Sequence, residues 1–289
     1  MENKALDHFV HTINNFEKAV GTIKNLGFNV LPKAQHLELG SANCVIQFNK
    51  TYYELVDLSN GLDWLVAPYQ QRMEYGEGLT HVSLNSANLE EDRAHLSLAG
   101  LHPDEIISAR RKILMPDGTE NETDSDCFYV WRKDNPYLSL FVSIHKKPET
   151  IFIPEYQEHP NGVLDIKKIV FHTTLLEADK AYFKTHYGKE PDILDEEGFA
   201  MVGARGDISE VLTTSKFKRE YGQLAHIDLK PLKGLPKVVV YEVADLAQTK
   251  KLLEQNKVPY LKLPNGLGVH EDNAHGCAQI FKPKHSIEP

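Results

Sequence analysis

The chain has 289 residues, enough for one large domain or two ordinary ones, and 41% hydrophobic with 25% charged residues is the balance of a water-soluble globular protein. A net charge of -9 argues against nucleic acid as the main partner, because phosphate binding needs a basic face. No apolar run is long enough to cross a bilayer, and three scattered cysteines behind a start unlike a signal peptide fit a cytoplasmic protein with reduced thiols.

In chain order, Leu6-Asp7-His8-Phe9-Val10 reads as a strand with a histidine inside it. Asn14 or Asn15 caps a helix whose stripe is Phe16, Ala19, Val20, Ile23 and Leu26, and Gly27 stops it. Strands follow at Phe28–Leu31, Ala42–Phe48 and Thr51–Leu58, with a loop carrying His36 between the first two. Glu54 lies mid-strand between apolar neighbours, where a carboxylate is costly unless paired or bound to a metal.

Residues 59–78 read as a polar connection. A second unit then starts at Leu79 with His81, continues through a helix at Leu89–Ala99 and a strand at Asp104–Leu114, and ends in strands at Cys127–Trp131 and Tyr137–Ile144. Between these, Met115–Asp126 reads as a polar loop. Laid on the first unit, the last strand has Ser139 where the first has Glu54. The proline-rich residues 146–164, with His159-Pro160-Asn161-Gly162, read as a boundary, so the expected domains are 1–147 and 163–289. The third unit carries His172, a helix at Glu177–Tyr187 and Glu210 in the place of Glu54. The fourth is expected to begin with a strand Leu224–Leu229 around His226, and to place Gln279 where Glu54 falls. A lone histidine in an apolar strand is usually a satisfied core residue; four at equivalent places point to one module used four times.

The order strand, helix, three strands, with histidine in the first strand and glutamate in the last, resembles the vicinal oxygen chelate superfamily of glyoxalases, extradiol dioxygenases and bleomycin-resistance proteins. The likeness is sharpest for the glyoxalase-like domain branch, at Leu6-Asp7-His8, Leu26-Gly27-Phe28, His36, Gly40-Ser41-Ala42-Asn43, Tyr53-Glu54-Leu55 and His159-Pro160-Asn161-Gly162. It implies an α+β fold of four βαβββ modules pairing into two barrel-like, cleft-forming mixed sheets. It also implies a divalent metal (Ni, Mn, Fe or Zn) held by His8, Glu54 and His81, with His172, Glu210, His226 and Gln279 as a second candidate set. Such a metal stabilises an enolate formed from a small oxygenated substrate, and Glu54 is the expected catalytic residue. His36, Asn43 and Tyr53 are the candidate substrate-binding residues, although a loop-capping His36 and a strand-starting Asn43 fit equally well.

The function implied is a metal-dependent lyase or isomerase of glyoxalase type. A non-catalytic protein that binds or sequesters a small molecule is the alternative, because in this superfamily the fold outlives the metal and an internal His–Glu pair can satisfy itself. An extradiol-type dioxygenase ranks third. The edge strands of such domains often pair, which leaves a homodimer open. Arg110-Arg111-Lys112 and Lys216-Phe217-Lys218-Arg219 are local basic clusters read as solvated loops or strand ends.

Overall fold

The computed structural model describes residues 4–132, 139–227, 233–284 and 286. The first half opens with β1 (Leu6–Thr12), α1 (Phe16–Asn25), β2 (Ala34–Gln35), β3 (Ala42–Gln47) and β4 (Tyr52–Asp57). Asn15 caps α1 by accepting from the Lys18 amide, Ala19 and Ile23 are its buried face, and Gly27 ends it with φ +87°. A helix, α2 (Asp63–Met73), lies in the stretch read as a polar connection. The second module is β5 (Gly78–Asn85), α3 (Leu89–Leu98), β6 (Ile107–Ser108), β9 (Ser125–Tyr129) and β10 (Ser139–His145), with a hairpin, β7 (Lys112–Leu114) and β8 (Glu120–Glu122), inserted in it. The single strand expected at 104–114 is therefore two, and part of the expected loop at 115–126 is strand. Pro116-Asp117-Gly118 supplies the turn between β7 and β8, with Gly118 at φ +84°.

The second half repeats the plan. β11 (Val163–Thr173), α4 (Leu176–Tyr187), β12 (Ile193–Asp195), β13 (Gly198–Val202) and β14 (Ile208–Thr213) are followed by α5 (Thr214–Tyr221). Then come β15 (Gly234–Val243), α6 (Leu246–Gln255), β16 (Leu261–Leu263), β17 (Gly266–Val269) and β18 (Ala278–Pro283). The fourth module therefore begins at Gly234, not at Leu224. Residues 224–227 are irregular chain after α5, and Asp228 and Leu229 lie outside the described residues, as do Tyr137 and Leu138 of the strand expected at 137–144. The β-branched run in β15 takes the strand position, while Leu224 and Ala225 are buried as loop.

The modules pair into two eight-stranded mixed sheets, ordered β2-β3-β4-β1-β5-β10-β9-β6 and β12-β13-β14-β11-β15-β18-β17-β16. In each, two antiparallel first strands lie at the centre, flanked by the parallel last strands of their modules. Alternation along each strand sends one set of side chains to a concave cleft and the other to a shared core. That core joins the halves: Phe28 and Phe48 pack on Tyr241 with ring centroids 5.2 and 5.7 Å apart. The loops at Gly78 and Gly276 also interlock. A Cβ at Gly276 would stand 2.1 Å from the Glu77 carbonyl, and its φ is +80°. The boundary motif is a staple as well, since His159 Nε2 donates to the Gln47 carbonyl at 2.9 Å and Asn161 Nδ2 to that of Leu26 at 3.0 Å.

Candidate functional site

The cleft of the first sheet gathers the polar residues. In β4, Tyr52, Glu54 and Val56 face it, and in β1 His8 and Val10 do. Asp7 precedes His8, and alternation alone would turn it away. A register shift between Leu6 and His8 leaves Asp7 unpaired in the ladder and lets both side chains reach the same side. His8 Nδ1 donates to Asp7 Oδ2 at 2.6 Å, and that carboxylate also accepts from His145 Nε2 at 3.0 Å and Ser143 Oγ at 3.1 Å. Burial pushes the Asp7 carboxyl up, but the charge of His145 and the hydrogen bonds from His145 and His8 outweigh it and hold it well below the usual carboxylate range. With Nδ1 tied to Asp7, the His8 lone pair is at Nε2, 3.2 Å from the Tyr52 hydroxyl and 3.7 Å from Glu54 Oε2. Glu54 is oriented the same way: Asn43 Nδ2 donates to Oε1 at 2.7 Å, which leaves Oε2 facing His8.

His81 lies on the same face of β5 but does not meet them. It stacks on Tyr69 of α2 with centroids 4.7 Å apart and has Tyr129 and Trp131 edge-on. Both its nitrogens are buried without a hydrogen-bond partner, and burial pushes its pKa down to about 3. Ser139 lies opposite His81, as Tyr52 lies opposite His8. The counterpart of Glu54 is Phe141, since Val10 stands opposite Glu54 and Ser83 opposite Phe141. His36 and Asn43 line the cleft, and burial holds His36 at a pKa of about 4. Tyr53 does not line it. One residue from Glu54, it points into the shared core and bonds its hydroxyl to His11 Nδ1 at 2.6 Å. Arg111, carried to the cleft by the start of the inserted hairpin, donates from Nη1 to Asn43 Oδ1 at 2.6 Å. Sequence reasoning left it in a solvated basic cluster; a cation at every position of 110–112 hid which one turns inward.

The second sheet does not assemble the other set. Glu210 lies opposite Val170, as Glu54 lies opposite Val10, so the place of His8 is taken by Lys168. Lys168 Nζ sits 3.4 Å from Glu210 Oε1, and the Tyr221 hydroxyl donates to Oε2 at 3.1 Å. His172, four residues further along β11, bonds Thr214 Oγ1 at 2.9 Å. Gln279 is one residue out of step. It lies opposite Val239 and faces the shared core with both amide atoms unpartnered, while its neighbour Ile280 occupies the cleft position. Phe217, Leu224 and Ala225 fill this cleft with apolar side chains. His226 is instead exposed beside His270 and Asp272, and these three place ligand atoms within 4.8 Å of one another, a group able to hold a cation. His172 and His226 line a separate open cavity of about 1130 Å³, well away in character from the small first cleft.

The three cysteines are buried, and burial pushes the Cys127 thiol up to about 12, so a thiolate nucleophile is absent there at neutral pH. Among the described residues, no helix is long and apolar enough to cross a membrane.

Comparison with known proteins agrees with this architecture. A hypothetical protein from Staphylococcus aureus superposes with TM-score 0.68 at 11% identity, covering 97% of this chain and 99% of that one. A triple mutant of 4-hydroxymandelate synthase from Streptomyces coelicolor gives 0.64 at 9% identity over 100% and 95% of the two chains. A xylose isomerase-like TIM barrel/4-hydroxyphenylpyruvate dioxygenase fusion protein gives 0.55 at 11% identity, covering 91% of this chain and 40% of that one. At these identities the likeness is one of fold. No curated protein sequence matches the chain. The sequence itself matches the glyoxalase-like domain over residues 6–185, which spans the first cleft with all its polar residues, and the chain belongs to that family.

Proposed function

We propose that the first cleft is the working site, and that the chain is a glyoxalase-like enzyme, a lyase or isomerase that moves a proton on a small oxygenated metabolite. The observation that carries this is the pair of oriented donors. His8 Nε2 and Glu54 Oε2 face each other at 3.7 Å, each fixed by a hydrogen bond on its other atom, to Asp7 and to Asn43. Such outer partners set the tautomer and aim of metal-binding side chains. Two of the three expected ligands fit a divalent ion, His8 Nε2 and Glu54 Oε2, while His81, stacked on Tyr69, stands apart from them. A bound ion would supply Lewis-acid polarisation of a substrate oxygen. The chain's own residues do the rest: Asp7 keeps the His8 lone pair at Nε2, Glu54 takes and returns a proton at Oε2, and Tyr69, Tyr129 and Phe141 exclude water.

The test is metal content by mass spectrometry on untagged native protein and on Glu54→Ala and Glu210→Ala. The proposal expects a near-stoichiometric divalent metal that Glu54→Ala loses and Glu210→Ala keeps, because Glu210 is engaged by Lys168 and Tyr221. Metal retained in Glu54→Ala, or none taken up by the native protein, refutes it. The small cavity closed by Tyr69 favours a second reading, a protein that sequesters a small ligand. Binding without turnover by the metal-loaded protein would select that reading. Oxygen uptake with iron would select the dioxygenase reading.

A further inference from the structure

Residues 110–112 are all cations, and the chain sends them to different surroundings. Arg110 is answered by two carboxylates, Nε donating to Glu38 at 2.6 Å and Nη1 to Glu122 at 3.1 Å. Lys112 is exposed. Arg111 is 7% exposed, and its side-chain hydrogen bond goes to a neutral amide, Asn43. Among the described residues, no carboxylate oxygen comes within 4.0 Å of its guanidinium. The backbone holds it there: its amide donates to Thr123 Oγ1 at 2.9 Å, its carbonyl accepts from the Thr123 amide at 2.9 Å, and it bridges to His36.

A guanidinium keeps its charge at every accessible pH and carries five N–H donors in a planar fork. Burying it without a counter-charge is costly, so such a group in a cavity wall calls for an anion from elsewhere. We infer that Arg111 is the anchor for a carboxylate on the ligand of this cleft, which makes the substrate class a small organic acid. This rests on the first cleft being the working site. The cavity of about 60 Å³ sets the size. At roughly 10–15 Å³ per water-sized group it takes about four to six such groups, the span from acetate to pyruvate. One amide, that of Asn43, separates the guanidinium from Glu54, so a short acid seated on Arg111 reaches the His8–Glu54 pair.

The experiment is calorimetric titration and thermal melting of the native protein, Arg111→Met, Arg111→Lys and Glu54→Gln. The probes are acetate, glyoxylate and pyruvate, each set against its neutral amide, in a buffer low in chloride. The native protein is expected to prefer at least one acid over its amide by roughly ten- to a hundredfold, the range for a charge-assisted contact. Arg111→Met should lose that preference and Arg111→Lys keep part of it. Saturating acid should raise the melting point of the native protein and leave that of Arg111→Met unmoved. Equal affinity for acids and amides in the native protein, an undiminished preference in Arg111→Met, or an equal acid-induced rise in melting point in both proteins overturns the inference. Ligand binding that Glu54→Gln weakens but Arg111→Met leaves intact would overturn it while leaving the cleft as the working site. An acid preference that depends on Arg111, in a protein that takes up no metal, would uphold it and refute the metal-dependent reading.

Discussion

His11 offers a clean test of how burial sets the pH response of this fold. The ring is fully buried between the halves, its Nε2 donating to the His275 carbonyl at 2.7 Å and its Nδ1 accepting from the Tyr53 hydroxyl at 2.6 Å. Burial pushes its pKa from 6.5 down to about 4. A depressed histidine value means that the unfolded chain binds the proton more readily between those two pH values. The stability from keeping His11 neutral is therefore complete above the unfolded value and drains away as pH falls towards 4. At about 1.4 kcal/mol per unit, the native protein loses about 2 kcal/mol through this one group between pH 7 and pH 5. His11→Leu removes the titration but strands the Tyr53 hydroxyl and the His275 carbonyl, at about 1–3 kcal/mol each. The variant should thus be less stable at pH 7 by about 2–6 kcal/mol, and that gap should narrow by about 2 kcal/mol at pH 5. Urea unfolding of both proteins at both pH values measures it. The other buried histidines titrate alike in the two proteins and cancel. A gap that stays constant or widens on acidification refutes the reasoning.

Three further outcomes are expected. Phe217→Ala empties the centre of the plug in the second cleft and should cost about 3–5 kcal/mol, read as a lower calorimetric midpoint, with acid binding in the first cleft unchanged. Lys168→Met leaves Glu210 buried with only Tyr221 and should cost about 3–5 kcal/mol. The double change with Glu210→Leu should recover most of this, and a double variant no better than the single refutes the pairing. Asp7→Asn removes the anion that orients His8, and should weaken divalent-metal affinity about ten- to a hundredfold in a competition titration, with near-native secondary structure by circular dichroism.

Strand and helix periodicities are local, and so the modules could be read from the chain. The alternation through Tyr52-Tyr53-Glu54 and the cap-and-stripe pattern of α1 each need only a few neighbouring residues. The same holds for placing His8 and Glu54 on one face, since both sit in strands whose direction the module order implies. Register is different. Ser139 and Gln279 were each assigned the place of Glu54, and pairing with β5 and β15 gives those places to Phe141 and Ile280. Such slips are invisible in an apolar run: the two-residue one leaves Ser139 on the cleft face further along the strand, and the one-residue one carries Gln279 through the sheet to the opposite face.

The sequence by itself determined that the chain is an α+β protein of repeated βαβββ modules, and that His8, His36, Asn43 and Glu54 belong to one module. Only the tertiary structure decided which cleft stays polar. Phe217 reads locally as part of a solvated basic cluster and Leu224 and Ala225 as a strand, and it is the unfilled concave surface of the second sheet that makes them a plug. Likewise, Arg111 is one basic residue among three until a hairpin turns it over the first cleft, and His81 is one strand histidine among four until Tyr69 stacks on it. These outcomes depend on contacts between residues far apart in the chain, formed by whichever packing buries the most apolar surface, and no window of neighbouring residues contains them.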